Sequence, residues 1–309
     1  MSARRSPGGS CAIRGVSGRA AVRDPASGFR ALLKWLGQTP AARIVHEPTG
    51  PYHRGFETAL SGKFPLAKVN PLQARRFAEA SGTRAKTDSV DARVLAQMGA
   101  ALAPDPDLPV SQASRNLRDL QVARTGLVKE RTRLRNRGQI QINRVLKRQI
   151  RTRLALVERQ IKELDAEIAT HIAKDDAKDD AMARKREILR SIPGLGQVAA
   201  AAILTFLPEL GTVGRKQVSS LAGLAPHARE SGQWKGRSFI SGGRKPLRDA
   251  LYMPALVAMR SNPDLKAKYT QMRAAGKPAK VAIVALMRKL LETSNALVRE
   301  DRTWVEKAP

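Results

Sequence analysis

The chain has 309 residues, enough for two or three domains, and 42% of them are hydrophobic, so it is globular rather than disordered. Lys and Arg number 56 against 27 Asp and Glu, and the formal charge of +29 would draw a polyanion over long range, with nucleic acid the default partner. The single Cys11 excludes an intramolecular disulfide framework and a cysteine-rich zinc site, and 4% aromatics argue against a base-stacking platform. A basic membrane-surface protein would need an amphipathic helix with large apolar residues, and the sequence offers no clear one. The longest nearly unbroken apolar run, Val198 to Leu207, is too short to span a bilayer, and the N-terminus has no apolar signal core. A cytoplasmic protein that does not enter a membrane is expected.

Met1 to Pro25 is rich in Arg, Gly and Ser without a clear period and is predicted to be poorly ordered. From Ser27, Phe29, Leu32, Leu33 and Leu36 recur at helical spacing, and Gly37 supplies a stop. Ala42 to His46 reads as a short strand ended by Glu47-Pro48-Thr49-Gly50. A carboxylate at the C-terminal end of a buried strand is a usual place for a site in an α/β domain. A helix is predicted over Arg54 to Leu60, a strand over Pro65 to Asn70 and a helix over Leu72 to Glu79. Ala85-Lys86-Thr87-Asp88-Ser89-Val90-Asp91-Ala92 then opens a helix predicted to run to about Ala101. Asp88 and Asp91, at i and i+3, share a face, and with Glu47 they offer oxygen ligands to a hard cation such as Mg2+, the standard apparatus of phosphodiester chemistry. The plainer alternative makes Asp88 the helix N-cap with Asp91 in the first turn. Lys86, beside them, is placed on the nucleic acid. Alternating strands and helices make this stretch α/β with a partly parallel sheet, and the three prolines of Leu102 to Pro109 mark a linker.

Residues 111 to 187 are almost uninterrupted helix formers. Leu117, Leu120, Leu127 and Leu134 trace one seam, and Leu154, Val157, Ile161, Leu164 and Ile168 follow coiled-coil spacing, with a break expected at Gly138. Between Arg124 and Arg153 stand 11 Lys or Arg and one acid, Glu130. A solvated face is one reading of such a run. Its density favours a phosphate backbone, with Arg131, Arg133, Arg135, Arg137, Arg144, Lys147 and Arg148 as the expected contacts. Glu158 to Asp180 is closer to charge balance and suits packing, so dimers or larger oligomers through this helical hairpin are expected.

Ser191-Ile-Pro-Gly-Leu-Gly196 followed by Gln197 to Ile203 resembles a helix-hairpin-helix, in which Gly194 and Gly196 let backbone amides approach a phosphate. The alternative is a tight turn between two core helices. A short helix over Gln217 to Ala222 ends at Gly223 and Pro226. Pro226 to Arg248 is a Gly-rich, basic stretch with several hydroxyls, and helices resume over Leu247 to Met259 and Ala279 to Val298. A Ser in such a loop is a turn residue or a nucleophile toward phosphorus, with Arg229, Arg237, Arg244 or Arg248 stabilising the phosphate charge.

Taken together, His46-Glu-Pro-Thr-Gly50 with Tyr52, Val69-Asn-Pro71, Phe77-Ala78, Ala85-Lys-Thr-Asp-Ser-Val-Asp-Ala92, Ile192-Pro-Gly-Leu-Gly196, Ala222-Gly-Leu-Ala-Pro226, Ser231-Gly232, Ile240-Ser-Gly-Gly and Leu247-Arg248 resemble, in order, the DEDD transposases of bacterial insertion sequences, the one-ten family. The resemblance covers roughly residues 27 to 300. It implies an α/β, RuvC-like or RNase H-like N-terminal domain over 26–103 that holds Mg2+ with four acids. A linker over 104–110 and a coiled coil over 111–187 would follow. A mainly α C-terminal transposase domain over 188–309 would contain the helix-hairpin-helix-like segment and a nucleophilic Ser that links to a DNA end. Glu47, Asp88 and Asp91 match the last three acids, Ser231 best matches the nucleophile, and Ser241 is the second choice. DNA, a guide RNA and further copies of the chain are the partners implied.

One part of the family pattern is absent. The family begins with a strand carrying its first Asp, whereas Ser2 to Arg23 contains no acid and Asp24 stands too close to the helix at Gly28. The N-terminal domain is therefore expected to be incomplete, lacking its central strand, through a misplaced start codon or gene decay. Mg2+-dependent strand cleavage is expected to be absent or very weak. The readings carried forward are a transposase or recombinase, a DNA- or RNA-binding remnant without chemistry, and a RuvC-like junction nuclease that needs the acids but not Ser231.

Overall fold

The computed structural model describes residues 2–5, 11–15, 18–22, 25–37, 43–48, 53–83, 87–107, 111–177, 179–236 and 238–306. The chain divides into two compact units, Met1–Val110 and Ser111–Pro309.

The first unit runs β1 (Ser2–Arg5), β2 (Cys11–Gly15), β3 (Gly18–Val22), α1 (Pro25–Gly37), β4 (Ile44–His46), α2 (His53–Leu60), β5 (Leu66–Lys68), α3 (Pro71–Ala80) and α4 (Asp88–Leu102). Its strands form one sheet in the order β3-β2-β1-β4-β5. β1, β2 and β3 pair antiparallel, while β1, β4 and β5 run parallel. β4 is buried along its length because the sheet is covered on both faces. Ile44 joins Leu32, Leu36, Phe56, Leu60 and Leu66 in one cluster, and Val45 joins Val69, Ala74, Leu95 and Met98 in another.

Two expectations for this unit are corrected. The N-terminal stretch predicted to be poorly ordered contains three strands. They have no hydrophobic period to betray them; β2 is held by ladders on both sides, and Gly15 pairs with Gly18 at the end of the second hairpin. The central strand predicted to be missing is present as β1, between β2 and β4, with Ser2 opposite Val45 and Ala3 opposite His46. What β1 lacks is a carboxylate, since it reads Ser-Ala-Arg-Arg.

The second unit is mostly helical: α5 (Gln112–Ile140), α6 (Arg144–Asp176), α7 (Asp180–Ser191), α8 (Gln197–Phe206), α9 (Arg215–Leu221), α10 (Lys245–Ser261), α11 (Pro263–Ala274) and α12 (Ala279–Arg299), with β6 (Pro226–His227), β7 (Glu230–Ser231), β8 (Trp234–Lys235) and β9 (Phe239–Ile240) between α9 and α10. α5 and α6 form an antiparallel pair. Leu134, Ile150, Val157 and Ile161 pack toward one end, and Leu117, Ile168 and Ile172 pack with Ala201 of α8 toward the other. The break expected at Gly138 falls instead at Gln141–Asn143. A glycine inside a helix costs only about 1 kcal/mol, and Gly138 lies close against Ile150 of α6. The stop is set by Asn143, which caps α6.

α7, α8, α9, α10 and α12 enclose the largest core, around Leu189, Ile203, Leu207, Leu251, Leu286 and Leu290. α11 was not foreseen from the sequence, although Asn262 caps it through Leu265 N at 3.1 Å and Pro263 opens it. The stretch read as a loop after Pro226 is a nested hairpin: β7 pairs with β8 inside the pairing of β6 with β9. Among the described residues no helix is long and apolar enough to cross a membrane.

Candidate functional site

The acids of the first unit stand on elements that pack on each other. Glu47 is the residue directly after β4 and is partly buried. Thr87 caps α4, its Oγ1 accepting from Val90 N at 3.3 Å. The capping role that the plainer reading offered Asp88 is therefore filled by its neighbour. Asp88 and Asp91 occupy the first turn, on one face of the helix backbone. Further along α4, Gly99 meets β4 so closely that a Cβ there would lie 2.6 Å from Val45 Cγ2. The helix that carries the two Asp is thus seated on the strand that leads to Glu47. β1, the other parallel neighbour of β4, adds no carboxylate.

Carboxylate oxygens are the right donors for Mg2+ in kind. Among the described residues, which do not include the Asp88 side chain, no group of three or more His, Cys, Asp or Glu is gathered closely enough to hold a metal ion. Lys86 lies outside the described residues.

Behind Glu47 is a charged cluster that sequence reasoning missed. His46, 1% exposed, places Nε2 3.0 Å from Glu57 Oε1 and meets Phe56 at a tilt of 54° with ring centroids 5.3 Å apart. His53 and Lys68 approach the same carboxylate at 3.7 and 3.2 Å. Burial pushes the Glu57 carboxyl up, but the His46 hydrogen bond and the charges of Lys68 and the two histidines outweigh it and hold it below its ordinary value. The only trace in the sequence was the pair His53 and Glu57, i and i+4 on a helix.

In the second unit the predicted phosphate contacts separate into paired and unpaired groups. Arg135 reaches Glu158 at 2.7 Å, Arg153 reaches Glu130 at 3.3 Å, and Arg124 bonds Asp165. Arg131 lies in a recess shared with Arg124, Glu158 and Asp165, its Nε buried without a partner. Arg133, Arg137, Arg144 and Arg148 are exposed and Lys147 partly so, and none forms an ion pair with another described residue. Lys129, at 2.7 Å from Asp249, ties α5 to the N-terminal part of α10.

The glycines of the α7–α8 turn have different roles. Gly194 has φ +103°, and a Cβ there would lie 2.5 Å from Ala258 Cβ and 2.7 Å from its backbone nitrogen, so this residue is glycine in order to pack on α10. Gly196 caps α8 with ordinary backbone and open space around it, so α8's N-terminus is accessible there.

Two arginines predicted on nucleic acid have internal partners. Arg244 chelates Glu209 with both terminal nitrogens at 2.6 Å and donates to Phe206 O at 2.9 Å. Arg248 donates to Gly242 O at 2.8 Å and Gly223 O at 3.3 Å, which fixes the turn after β9. Their proximity to the Gly-Gly pair and to the helix start is what the sequence could not distinguish from ligand binding. Arg237 lies outside the described residues.

Ser231 is exposed, pairs with Trp234 across the inner hairpin and precedes Gly232 at φ +57°. Arg229, two residues earlier, sits over Phe239 with its guanidinium carbon 5.2 Å from the ring centroid, and its carbonyl accepts from Gly236 N at 2.7 Å. His227 also leans on Phe239, at 6.0 Å between centroids. Ser231 is thus carried near the tip of a two-stranded arm. Ser241, also exposed, is at the arm's base, next to two glycines of left-handed backbone.

Against known proteins, residues 186–270 match the family described as "Transposase IS116/IS110/IS902 family", and residues 16–147 match a second family described as "Transposase". The chain is 31% identical over 290 residues to the pilin gene-inverting protein of Moraxella bovis, a match covering 90% of this chain and 87% of that protein. It is 30% identical over 125 residues to the uncharacterized 43.6 kDa protein of insertion element IS110 from Streptomyces coelicolor, covering 40% of this chain and 31% of the other. With the uncharacterized 42 kDa protein of insertion element IS900 from Mycobacterium paratuberculosis it shares 31% over 159 residues, 48% of this chain and 39% of that one.

Proposed function

Since this chain belongs to the IS116/IS110/IS902 family of transposases, we propose that it cuts and rejoins DNA strands as the recombinase of an insertion sequence. The observation that carries this reading is the match to a gene-inverting protein along 90% of the chain, through both structural units. The sheet order, with antiparallel β1 to β3 and parallel β4 and β5, supports a RuvC-like first unit. The long antiparallel helices support a coiled coil over 111–187. The partners are DNA and a guide RNA, both along the basic helices, and one or three further copies of the chain.

Ser231 is the nucleophile in this reading. Its Oγ attacks a strand phosphorus; the Oγ–P bond forms as the P–O bond to the departing deoxyribose breaks, and the leaving oxygen takes a proton. A hydroxyl of a second strand then attacks the serine ester and frees Ser231. Arg229, on the same arm, is the described cation nearest in sequence for the phosphoryl charge, because Arg244 and Arg248 are held by internal partners. Glu47, Asp88 and Asp91 are the groups for Mg2+, which when bound polarises the phosphate.

The test is trapping of a protein–DNA adduct on a denaturing gel. The native protein forms it, Ser231→Ala does not, and an adduct that survives Ser231→Ala but not Ser241→Ala moves the nucleophile to the base of the arm. One observation favours a second reading, binding without strand cleavage: β1 carries no carboxylate. Salt-sensitive DNA binding with no adduct and no Mg2+-dependent cleavage would select it.

A further inference from the structure

The turn between α5 and α6 is inverted in polarity for a tip that faces water. Gln141 and Asn143 use their side chains on the backbone. Gln141 Oε1 accepts from the amides of Ile142 and Asn143 at 3.0 and 3.1 Å, and Asn143 Oδ1 accepts from those of Val145 and Leu146 at 2.9 and 3.3 Å. The large apolar side chains are the exposed ones: Ile140 at 82% and Ile142 at 87%, with Val145 and Leu146 beside them. Isolated apolar residues on a surface need no explanation, but four within seven residues on a locked turn form a patch.

Charge of a single sign surrounds that patch. Arg133 and Arg137 share a helix face with Ile140, and Arg144, Arg148 and Arg151 line one face of α6. The hairpin's cross-helix ion pairs are those of Arg124, Arg135 and Arg153. Arg137, Arg144, Lys147, Arg148 and Arg151 form none with another described residue. A second copy of the chain would bring the same positive collar to the same place. Complementary to the tip is a polyanion with an apolar interior reachable between its charges. A nucleic-acid duplex is built that way, with phosphates outside and stacked bases within.

We infer that the α5–α6 turn is an apolar wedge for duplex DNA, its arginine collar on the phosphates and Ile140 and Ile142 against the bases of a step they unstack. The inference rests on the proposal that the basic hairpin lies on DNA, and adds a contact to the bases.

The experiment uses the full chain on a thymine-rich duplex, with permanganate oxidation of unstacked thymines as readout, alongside binding measured against salt and mass by light scattering. The native protein raises thymine reactivity at the site it occupies. Ile140→Ser with Ile142→Ser returns reactivity to that of free DNA while the salt dependence of binding stays the same, since every arginine on the phosphates is still in place. Ile140→Leu with Ile142→Leu retains the reactivity, which separates apolar wedging from any local effect on the turn. Normal salt-sensitive binding with silent thymines in the native complex, or reactivity that survives the serine variant, overturns the wedge alone. No duplex binding at any salt would overturn the underlying DNA reading with it. A serine variant that changes the mass of the particle and leaves reactivity unaltered would mean the patch seats a second copy, and would also overturn the wedge.

Discussion

At Gly194 a side chain is excluded twice, by left-handed backbone and by the backbone of Ala258. Gly194→Ala is therefore expected to lower stability by about 3 kcal/mol, the sum of backbone strain and overpacking, read by urea unfolding. Gly196→Ala, with open space and ordinary φ, costs only the poorer N-cap, about 1 kcal/mol, so a loss of DNA binding in the folded variant reports on α8's N-terminus itself. The Glu209–Arg244 chelate makes a second prediction. The Arg244 hydrogen bond holds the Glu209 carboxyl below its ordinary value against the opposing effect of burial. A depressed carboxyl stabilises the fold fully above its unfolded value and loses that contribution as pH falls through the folded one. Glu209→Gln thus costs about 1 kcal/mol near neutral pH, after allowing for the partial exposure of both groups. The variant also unfolds with a shallower acid dependence than the native protein below pH 4.5, measured by urea unfolding across that range.

The helices of this chain were legible as elements, and for a physical reason: each buries one stripe, so the period survives in the sequence. α1, α3, α4 and α12 came out within a few residues of their positions. α11 buries Leu265 and half-buries Tyr269 and Met272, a stripe only two turns long, so little period exists to read. β1 to β3 were missed because short, Arg- and Gly-rich strands are defined by ladder partners that lie elsewhere in the chain. The places of Glu47 at the end of a strand and of Asp88 and Asp91 at the start of a helix were legible from the pattern, whereas the internal partners of Gly194, Arg244 and Arg248 were not. A basic residue in a glycine-rich turn reads the same whether it holds a phosphate or a carbonyl. The division of the basic hairpin into paired and unpaired arginines was hidden likewise, since Arg135 is set apart by Glu158, which α6 brings to it from 23 residues away. That division predicts salt behaviour. Changing Arg133, Arg137, Arg144 and Arg148 to Gln flattens the slope of log affinity against log salt by about 0.9 for each phosphate no longer neutralised. Arg135→Gln with Arg153→Gln changes it little. Fluorescence anisotropy of a labelled duplex over a salt series measures both.

For the molecule as a whole, the two units hold separate cores of unequal size. The first depends on small clusters on either face of a sheet with strands of three to five residues, the second on one large core enclosed by five helices. Calorimetry is expected to show two transitions rather than one, the first unit melting at the lower temperature, because burial grows faster than surface with size. A single two-state transition would contradict it. The arm that carries Ser231 meets the large core at Ile240, at its base. Each of its strands is two residues long, so few ladder bonds hold it, and it can open while the helices beneath stay folded. Trypsin is accordingly expected to nick the free protein early at exposed Arg229, and DNA engaged with the arm to slow that cut. If Ser231 is the nucleophile proposed above, a hydroxyl on so lightly fastened a strand pair can follow a phosphate through a change of partners without asking the rest of the protein to move.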